Sequence, residues 1–465
     1  MSEKASNRNQ NSYVEKISTF EKVAYGGGDL ASNFVLVLTS TFVIFFYTDA
    51  LGLSAGIIGA IMLFSRFADG ITDIIMGYVM DKTRSKHGKA RPWLLWLAIP
   101  IGISTILVFL VPNLGDVGKY IYIAITYNLV TTFLYTMINI PYGAMTSLMS
   151  RDQNQRMIIN IFRMFMAQVG ALVINACTLP LVNAMGGSAH QKSWVIVSII
   201  YGVIATALFL LCFAKTKERV AIQNDKSKKL SFGTSFKLIL KNNYWLLLVG
   251  IWVSMVLGMS MSMSVGTYYA KYILGNENYA GFLGALGIVP ILIIIPLTAP
   301  LNKKYGKRNV ALVGSFISIL GQSLMLINPG SATWLMVCTV IKGVGSATLS
   351  GTMFAMIADT IEYGHWKTGT RVEGMLYSST TFGAKVGAGV GGAVALAIIG
   401  AAGYNGFAAV QTPSAVKAIK VLYLVVPIPF MLIIPILYGL YKLDKIYPKV
   451  IEELRQREEG QQKAM

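Results

Sequence analysis

The sequence predicts an all-α membrane protein of twelve transmembrane helices in two six-helix halves. Three observations carry this. The 465 residues are 54% hydrophobic and only 13% charged, with a mean hydropathy of +0.58, well outside the ordinary soluble range. Twelve segments are long and apolar enough to span about 30 Å of hydrocarbon. One hydrophilic break, 215–243, divides them into two sets of six.

The expected spans are 32–49, 55–80, 93–111, 120–149, 157–185 and 194–214, then 244–273, 280–301, 310–327, 334–360, 372–402 and 417–441. The organisation is therefore an N-terminal half over 1–214, a central loop over 215–243, a C-terminal half over 244–441 and a tail over 442–465. Net charge is +19, yet the basic residues sit in short clusters between spans rather than along one helix face, which argues against a nucleic-acid surface. Lys82, Arg84, Lys86, Lys89 and Arg91 crowd the connection after span two, and Lys303, Lys304, Lys307 and Arg308 the one after span eight. The central loop holds eight more, whereas the connections at 112–119, 274–279 and 328–333 hold few or none. By the positive-inside rule both termini are cytoplasmic and the protein is a multi-pass protein of the cell membrane. Cys177, Cys212 and Cys338 fall in apolar spans at unrelated spacings, with no disulfide framework or metal-ligand spacing. The first span lies behind a polar start that lacks the early apolar region of a cleavable signal.

The most informative span is the second, because it carries Arg66, Asp69 and Asp73. An acid at mid-membrane costs about 2.5–3.5 kcal/mol on insertion scales. Asp69 and Asp73 are one helical turn apart on one face. Paired acids at that depth suit a cation that sheds water inside a protein, and a close carboxylate pair can equally hold a proton. The competing reading is an internal ion pair of Arg66 with Asp69 at i+3. Lys385 lies about thirteen residues into span eleven, roughly 20 Å deep, too far to snorkel, so it faces an acid or an aqueous cavity. Gly383, Gly387 and Gly391 form a small-residue face beside it.

The basic, glycine-containing turn Gly77…Asp81-Lys-Thr-Arg84-Ser-Lys-His-Gly88-Lys89 has a plainer counterpart in Asn302-Lys-Lys-Tyr-Gly306-Lys-Arg308. These matching turns resemble those of the major facilitator superfamily, whose halves are parallel repeats around a midplane site. The motifs Tyr25-Gly-Gly-Gly-Asp29-Leu-Ala-Ser-Asn33, Asp69-Gly-Ile-Thr72-Asp73, Asn139-Ile-Pro141-Tyr142-Gly143 and Ala358-Asp359-Thr-Ile-Glu362-Tyr363-Gly364 follow in order along almost the whole chain. Together they resemble the glycoside–pentoside–hexuronide:cation symporters, the family of the melibiose permease and the bacterial glucuronide and xyloside carriers. That resemblance implies the major facilitator fold and a sugar:cation symporter working by alternating access.

The resemblance also implies site residues. Asp69, Asp73, Thr72 and Thr136, with Lys385 near the acids, would form the cation site for Na⁺ or H⁺. Sugar contacts would come from Asn33, Asn139, Gly143, Arg163, Thr380 and Thr381, with Tyr135, Tyr142, Phe354 and Tyr377 as aromatic candidates for stacking. Amides and a guanidinium fork suit hydroxyls, which need donors and acceptors together. The melibiose permease has acids at the positions of Asn33 and Asn139 and an aromatic at that of Gly143. A galactoside is therefore less expected than a xyloside, an oligosaccharide or a glucuronide. The run Thr368-Gly-Thr-Arg371-Val-Glu373-Gly374 points the same way. Asp359, Glu362 and Arg371 are candidates for a cytoplasmic gate of ion pairs, against the plainer reading of a solvated loop.

All three histidines lie in connections, so the acids must carry coupling. No Walker-type loop or nucleophile triad appears, so no enzyme activity and no cofactor beyond the coupling ion is expected. The expected partners are a small sugar, the cation and the bilayer, with the protein functional as a monomer. The alternatives are an uncoupled facilitator or exchanger, disfavoured by the acid pair, and a membrane sugar sensor, disfavoured by the short 215–243 and 442–465 segments. The topology is testable. Cysteine labels near Lys86, Lys228 and Lys304 should react only from the cytoplasm, and one near Asn113 only from outside. External reactivity at Lys228 in intact cells would refute the orientation.

Overall fold

The computed structural model describes residues 17–150, 153–219, 240–369, 373–408 and 410–464. Their regular structure is helical, in twelve long helices and a tail helix. In chain order these are α1 Thr19–Ala50, α2 Ala55–Lys82, α3 Arg91–Phe109, α4 Asp116–Met149, α5 Gln153–Ala184 and α6 Gln191–Lys215. They continue with α7 Asn243–Tyr272, α8 Asn278–Tyr305, α9 Lys307–Leu324, α10 Ala332–Thr368, α11 Glu373–Ala401, α12 Pro413–Leu440 and α13 Leu443–Ala464. Among the described residues, nine helices are long and apolar enough to cross a bilayer; α2, with its charges, is outside that set.

Two boundaries differ instructively from the sequence expectation. Helix α1 begins at Thr19, not near Ser32, because its polar, glycine-rich first half is buried in protein rather than in lipid. Glu21, Tyr25 and Gly26–Gly28 are all buried. Ser18 caps it, its Oγ accepting from the Glu21 N–H at 3.1 Å. Helix α10 runs eight residues past its expected end at 360 and stops at Gly369, whose φ of +70° is the left-handed conformation that terminates helices.

The chain forms two compact units. The first comprises 1–224 with 280–285 and 399–415, the second 225–279, 286–398 and 416–465. Within the first, α1 packs on α5 and α6, α3 on α6 and α4, and α2 on α4. Within the second, α9 packs on α10 and α12 and α7 on α12, while Gly391 of α11 and Gly343 of α10 bring those helices against α7 and α8. The equivalent pairs, first with fifth, second with fourth, third with sixth and third with fourth, therefore meet in both units.

The repeat extends to single hydrogen bonds at the basic turns. In the first unit the Glu218 carboxylate accepts from the N–H groups of Lys89, Ala90 and Arg91 at 2.7–3.0 Å, capping α3, while Arg91 Nε donates to the Phe213 carbonyl near the end of α6. In the second, Asp444 accepts from the Arg308 N–H at 2.8 Å, capping α9, and Arg308 donates to the carbonyls of Tyr438 and Gly439 at the end of α12. Each cap places an acid on N–H groups at a helix start and a cation on carbonyls near a helix end. Gly88 and Gly306 precede them at φ +104° and +82°, turns that only glycine makes without strain.

Lys342 escaped the sequence reading although it sits in an apolar stretch of α10. Its Nζ donates to Gln322 Oε1 at 2.9 Å, and the Gln322 amide donates to the Tyr423 and Leu424 carbonyls at 3.0 and 2.9 Å. Those carbonyls lie in a π turn of α12, Val421–Val425, where wider spacing frees backbone acceptors. The tail helix α13, for which the sequence suggested only a polar segment, is tied to α10 by Trp366 Nε1 donating to Glu453 at 2.7 Å. All three cysteines are free thiols.

Helix contact depends on glycines whose absent side chains admit a neighbour's backbone. A Cβ on Gly345 would lie 2.4 Å from the Gly314 carbonyl and the Ser318 nitrogen, whereas one on Gly143 would meet nothing within 4 Å. Gly345→Val should therefore destabilise the protein by about 1–3 kcal/mol or more, and Gly143→Ala should leave stability unchanged. Thermal unfolding in detergent with paired variants reads this directly; equal transitions would show that α9 and α10 do not need the close approach.

Candidate cation and sugar sites

The cation candidates assemble where α2 meets α4. Helix α4 carries a π turn over Leu129–Leu134, and its Thr132 carbonyl accepts from Thr72 Oγ1 at 3.3 Å. Four residues on, Thr136 Oγ1 hydrogen-bonds Asp73 Oδ1 at 3.0 Å. Thr136 and Asp73 are thus brought together, and Thr72 lies between the acids while bonding its own helix at Ala68 and Asp69.

Asp69 is 4% exposed. Its Oδ2 accepts from Arg66 Nη1 at 3.3 Å, so the ion pair that the sequence offered as the competing reading is present. It uses only half of the carboxylate. The other oxygen, Oδ1, is buried with no hydrogen-bond partner. A buried acceptor left unpaired costs about 1–3 kcal/mol, more when charged. An orphaned anionic oxygen beside a second carboxylate, a hydroxyl and π-turn carbonyls is a donor set for a hard monovalent cation or a proton. Among the described residues no three His, Cys, Asp or Glu side chains converge, so such an ion would use neutral oxygens besides the two acids.

The sugar candidates of the first unit gather where α1 meets α4 and α5. The Tyr25-Gly-Gly-Gly-Asp29 run makes this meeting possible. A Cβ on Gly26 would strike Met166 and the Phe162 carbonyl of α5, and one on Gly28 would sit 2.4 Å from the Tyr142 ring. With that space empty, Tyr25 and Tyr142 clasp reciprocally. Tyr25 Oη donates to the Tyr142 carbonyl at 2.5 Å and Tyr142 Oη to the Tyr25 carbonyl at 2.6 Å. Over this clasp lies Arg163 of α5, its guanidinium 4.6 Å from the Tyr142 ring centroid. Its Nε donates to Asp29 Oδ2 at 2.8 Å and its Nη1 to Thr146 Oγ1 at 3.3 Å.

Arg163 therefore has a counter-ion of its own in Asp29. Asn33 is one turn beyond Asp29 and spends its amide on the Asp29 carbonyl at 2.9 Å. Asn139 lies near the Tyr135 phenol, which is within electrostatic reach of Asp29, Arg163 and Arg66. Gly143 borders open space. Asp29 is the residue that the sequence reading quoted in a motif but did not assign; its signal was an acid one turn from Asn33 on the same face of an apolar helix.

Lys385 and the helix carrying Thr380 and Thr381 belong to the second unit. Lys385 is half-buried and engaged with a neighbour, while the side chains of Thr380, Thr381, Phe354 and Tyr377 lie outside the described residues. Of the gate candidates, Arg371 also lies outside them. Glu362 is on α10 and has interactions. Asp359 is buried and ion-paired with Lys307 at 2.5 Å, a contact inside the second unit that draws on the basic turn before α9.

The sequence family described as MFS/sugar transport protein matches residues 24–445. The isoprimeverose transporter of Lactiplantibacillus pentosus is 36% identical over 446 residues, 94% of this chain and 91% of that protein. An uncharacterized symporter of Bacillus subtilis, YnaJ, is 36% identical over 451 residues, 96% of each chain. The glucuronide carrier protein homolog of Escherichia coli is 29% identical over 449 residues, 95% of this chain and 96% of that one. Among solved structures, a bacterial homologue of the human lysosomal transporter Spinster superposes with a TM-score of 0.66 at 13% identity, over 94% of this chain and 99% of that one, a likeness of fold. With acids paired on α2 and a polar cluster between α1, α4 and α5, the chain belongs to the sugar transport proteins of the major facilitator superfamily, among the glycoside–pentoside–hexuronide:cation symporters.

Proposed function

We propose that this protein takes a neutral glycoside or pentoside across the cell membrane together with one monovalent cation, Na⁺ or H⁺, by alternating access. The observation that carries the coupling is the buried Oδ1 of Asp69, an oxygen with no hydrogen-bond partner, one turn from Asp73 on the same helix. Binding a cation there removes the cost of the unpaired oxygen, which gives the ion a defined place in the cycle. The preference for a neutral sugar rests on Asp29, which already neutralises Arg163. A uronate would need to approach a guanidinium whose carboxylate partner is 2.8 Å away, and like charges repel strongly in a low-dielectric site. The 36% identity to an isoprimeverose transporter is in keeping with this reading.

The orientation we propose follows from the basic turns. The connections at the ends of α2, α6 and α8 are rich in Lys and Arg, and by the positive-inside rule this supports a cytoplasmic location for those ends and for both termini. The Lys307–Asp359 pair then lies on the cytoplasmic side, and opening of that side is the step it would govern.

Proteoliposomes with imposed Na⁺ or proton gradients test the reading. Wild type should accumulate a xyloside or its disaccharides against a gradient, in preference to a glucuronide; strong accumulation of a glucuronide alone would replace the neutral-sugar reading with the anionic one. Asp69→Asn and Asp73→Asn should each abolish concentrative uptake while leaving insertion intact. Linkage further requires that the cation effect on sugar affinity, typically about 5–150-fold in coupled systems, vanish in equilibrium binding to either variant. Undiminished gradient-driven accumulation in both would remove the acids from the coupling site.

A further inference from the structure

We propose that Asp29 is the positioning residue of the sugar site. By taking Nε of Arg163 it turns the guanidinium so that its remaining edge, Nη2, is offered to hydroxyl groups of the sugar. This rests on the symporter reading and deepens it by assigning a residue that no motif-based expectation included.

The geometry distinguishes the three nitrogens of the guanidinium group. Nε is held by Asp29 Oδ2 at 2.8 Å, and Nη1 is directed to Thr146 Oγ1 at 3.3 Å. Thr146 is itself fixed by Tyr25 Oη at 2.9 Å. No group among the described residues takes Nη2. The planar group is also held from one face by the Tyr142 ring, 4.6 Å from its centroid. Two of the five N–H donors and one face are thus committed, and both N–H groups of Nη2 are left.

The pair is not sealed, which separates it from a purely structural ion pair. The side chains of Arg163 and Asp29 retain 19% and 15% of their exposure, whereas the clasp beneath them, Tyr25 and Tyr142, is fully buried. Exposure belongs to the polar ends and burial to the scaffold, the arrangement expected where a rigid base presents donors to a ligand. A guanidinium left to rotate would lose this; a carboxylate on Nε removes the rotation. Asp29 also supplies lone pairs, so donor and acceptor stand side by side, as a sugar hydroxyl requires. Its neighbour Asn33, one turn along the same face, donates to the Asp29 carbonyl through Nδ2, and Gly143 leaves space for a ring.

The test uses methyl β-xyloside and its three monodeoxy analogues as competitors of uptake in proteoliposomes. Wild type should discriminate against at least one deoxy analogue by about tenfold or more, because a hydrogen bond to a charged group is lost. In Asp29→Asn that discrimination should fall to within about twofold, while Na⁺- or proton-dependent stabilisation of the purified protein persists, since the α2 acids are untouched. Asp29→Glu, which retains the charge, should restore part of it. If Asp29→Asn fails to fold, Arg163→Lys carries the test, because lysine keeps an ion pair with Asp29 but has no second planar edge. It should insert and unfold as wild type does yet lose the discrimination. Unaltered discrimination in a folded variant of either kind overturns the assignment. Failure of wild type to take up any of xylosides, galactosides or glucuronides would instead overturn the symporter reading, and the assignment with it.

Discussion

A charge placed in hydrocarbon must be matched by something, and most of this structure follows from what does the matching. Arg163 is matched by Asp29. Lys342 is met by the Gln322 amide, which hands the interaction on to carbonyls of a π turn. The exception is α2, where Arg66 satisfies one oxygen of Asp69 and leaves the other bare. Such a deficit in hydrocarbon is costly. The same rule that stabilises the rest of the bundle is what makes α2 the candidate for the ion.

Helix α4 is common to both candidate sites. Its π turn and Thr136 face the acids of α2, and within three further turns Tyr142 and Thr146 meet α1 and α5. Tyr135 stands within electrostatic reach of Arg66, Asp29 and Arg163. One element therefore carries the candidate ligands for both cargoes, with Pro141 between the two sets. Occupancy of either site bears on the placement of the same helix, which is the physical minimum for linked binding.

The two units repeat their helix pairings, and they repeat them down to the caps. Arg91 with Glu218 and Arg308 with Asp444 perform the same operation at the two matching basic turns. In a bilayer-spanning bundle the helix ends are the places where backbone groups go unpaired. A cation on the last carbonyls and an acid on the first N–H groups answer both needs with two residues. The basic turns are therefore more than an address for orientation. Their arginines hold the third helix of each unit to the end of the sixth.

By itself the sequence determined the class of the protein, the twelve spans and the acid pair on α2, while Thr136 came only through the family resemblance. These depend on one-dimensional quantities: apolar run length, charge placement and the four-residue spacing of a helix face. It also held the Arg66–Asp69 pair as an alternative, since i+3 contacts need no tertiary knowledge. What it could not decide was which partner each remaining charge finds. Asp29 and Arg163 are separated by 134 positions, and only the approach of α1 to α5 through Gly26 joins them. The start of α1 at Thr19 was hidden for a related reason. Hydropathy records whether a segment suits lipid, while the polar first half of α1 is covered by other helices of its own unit. Where the environment of a residue is the bilayer, composition reveals it; where that environment is another helix, only the packed structure does.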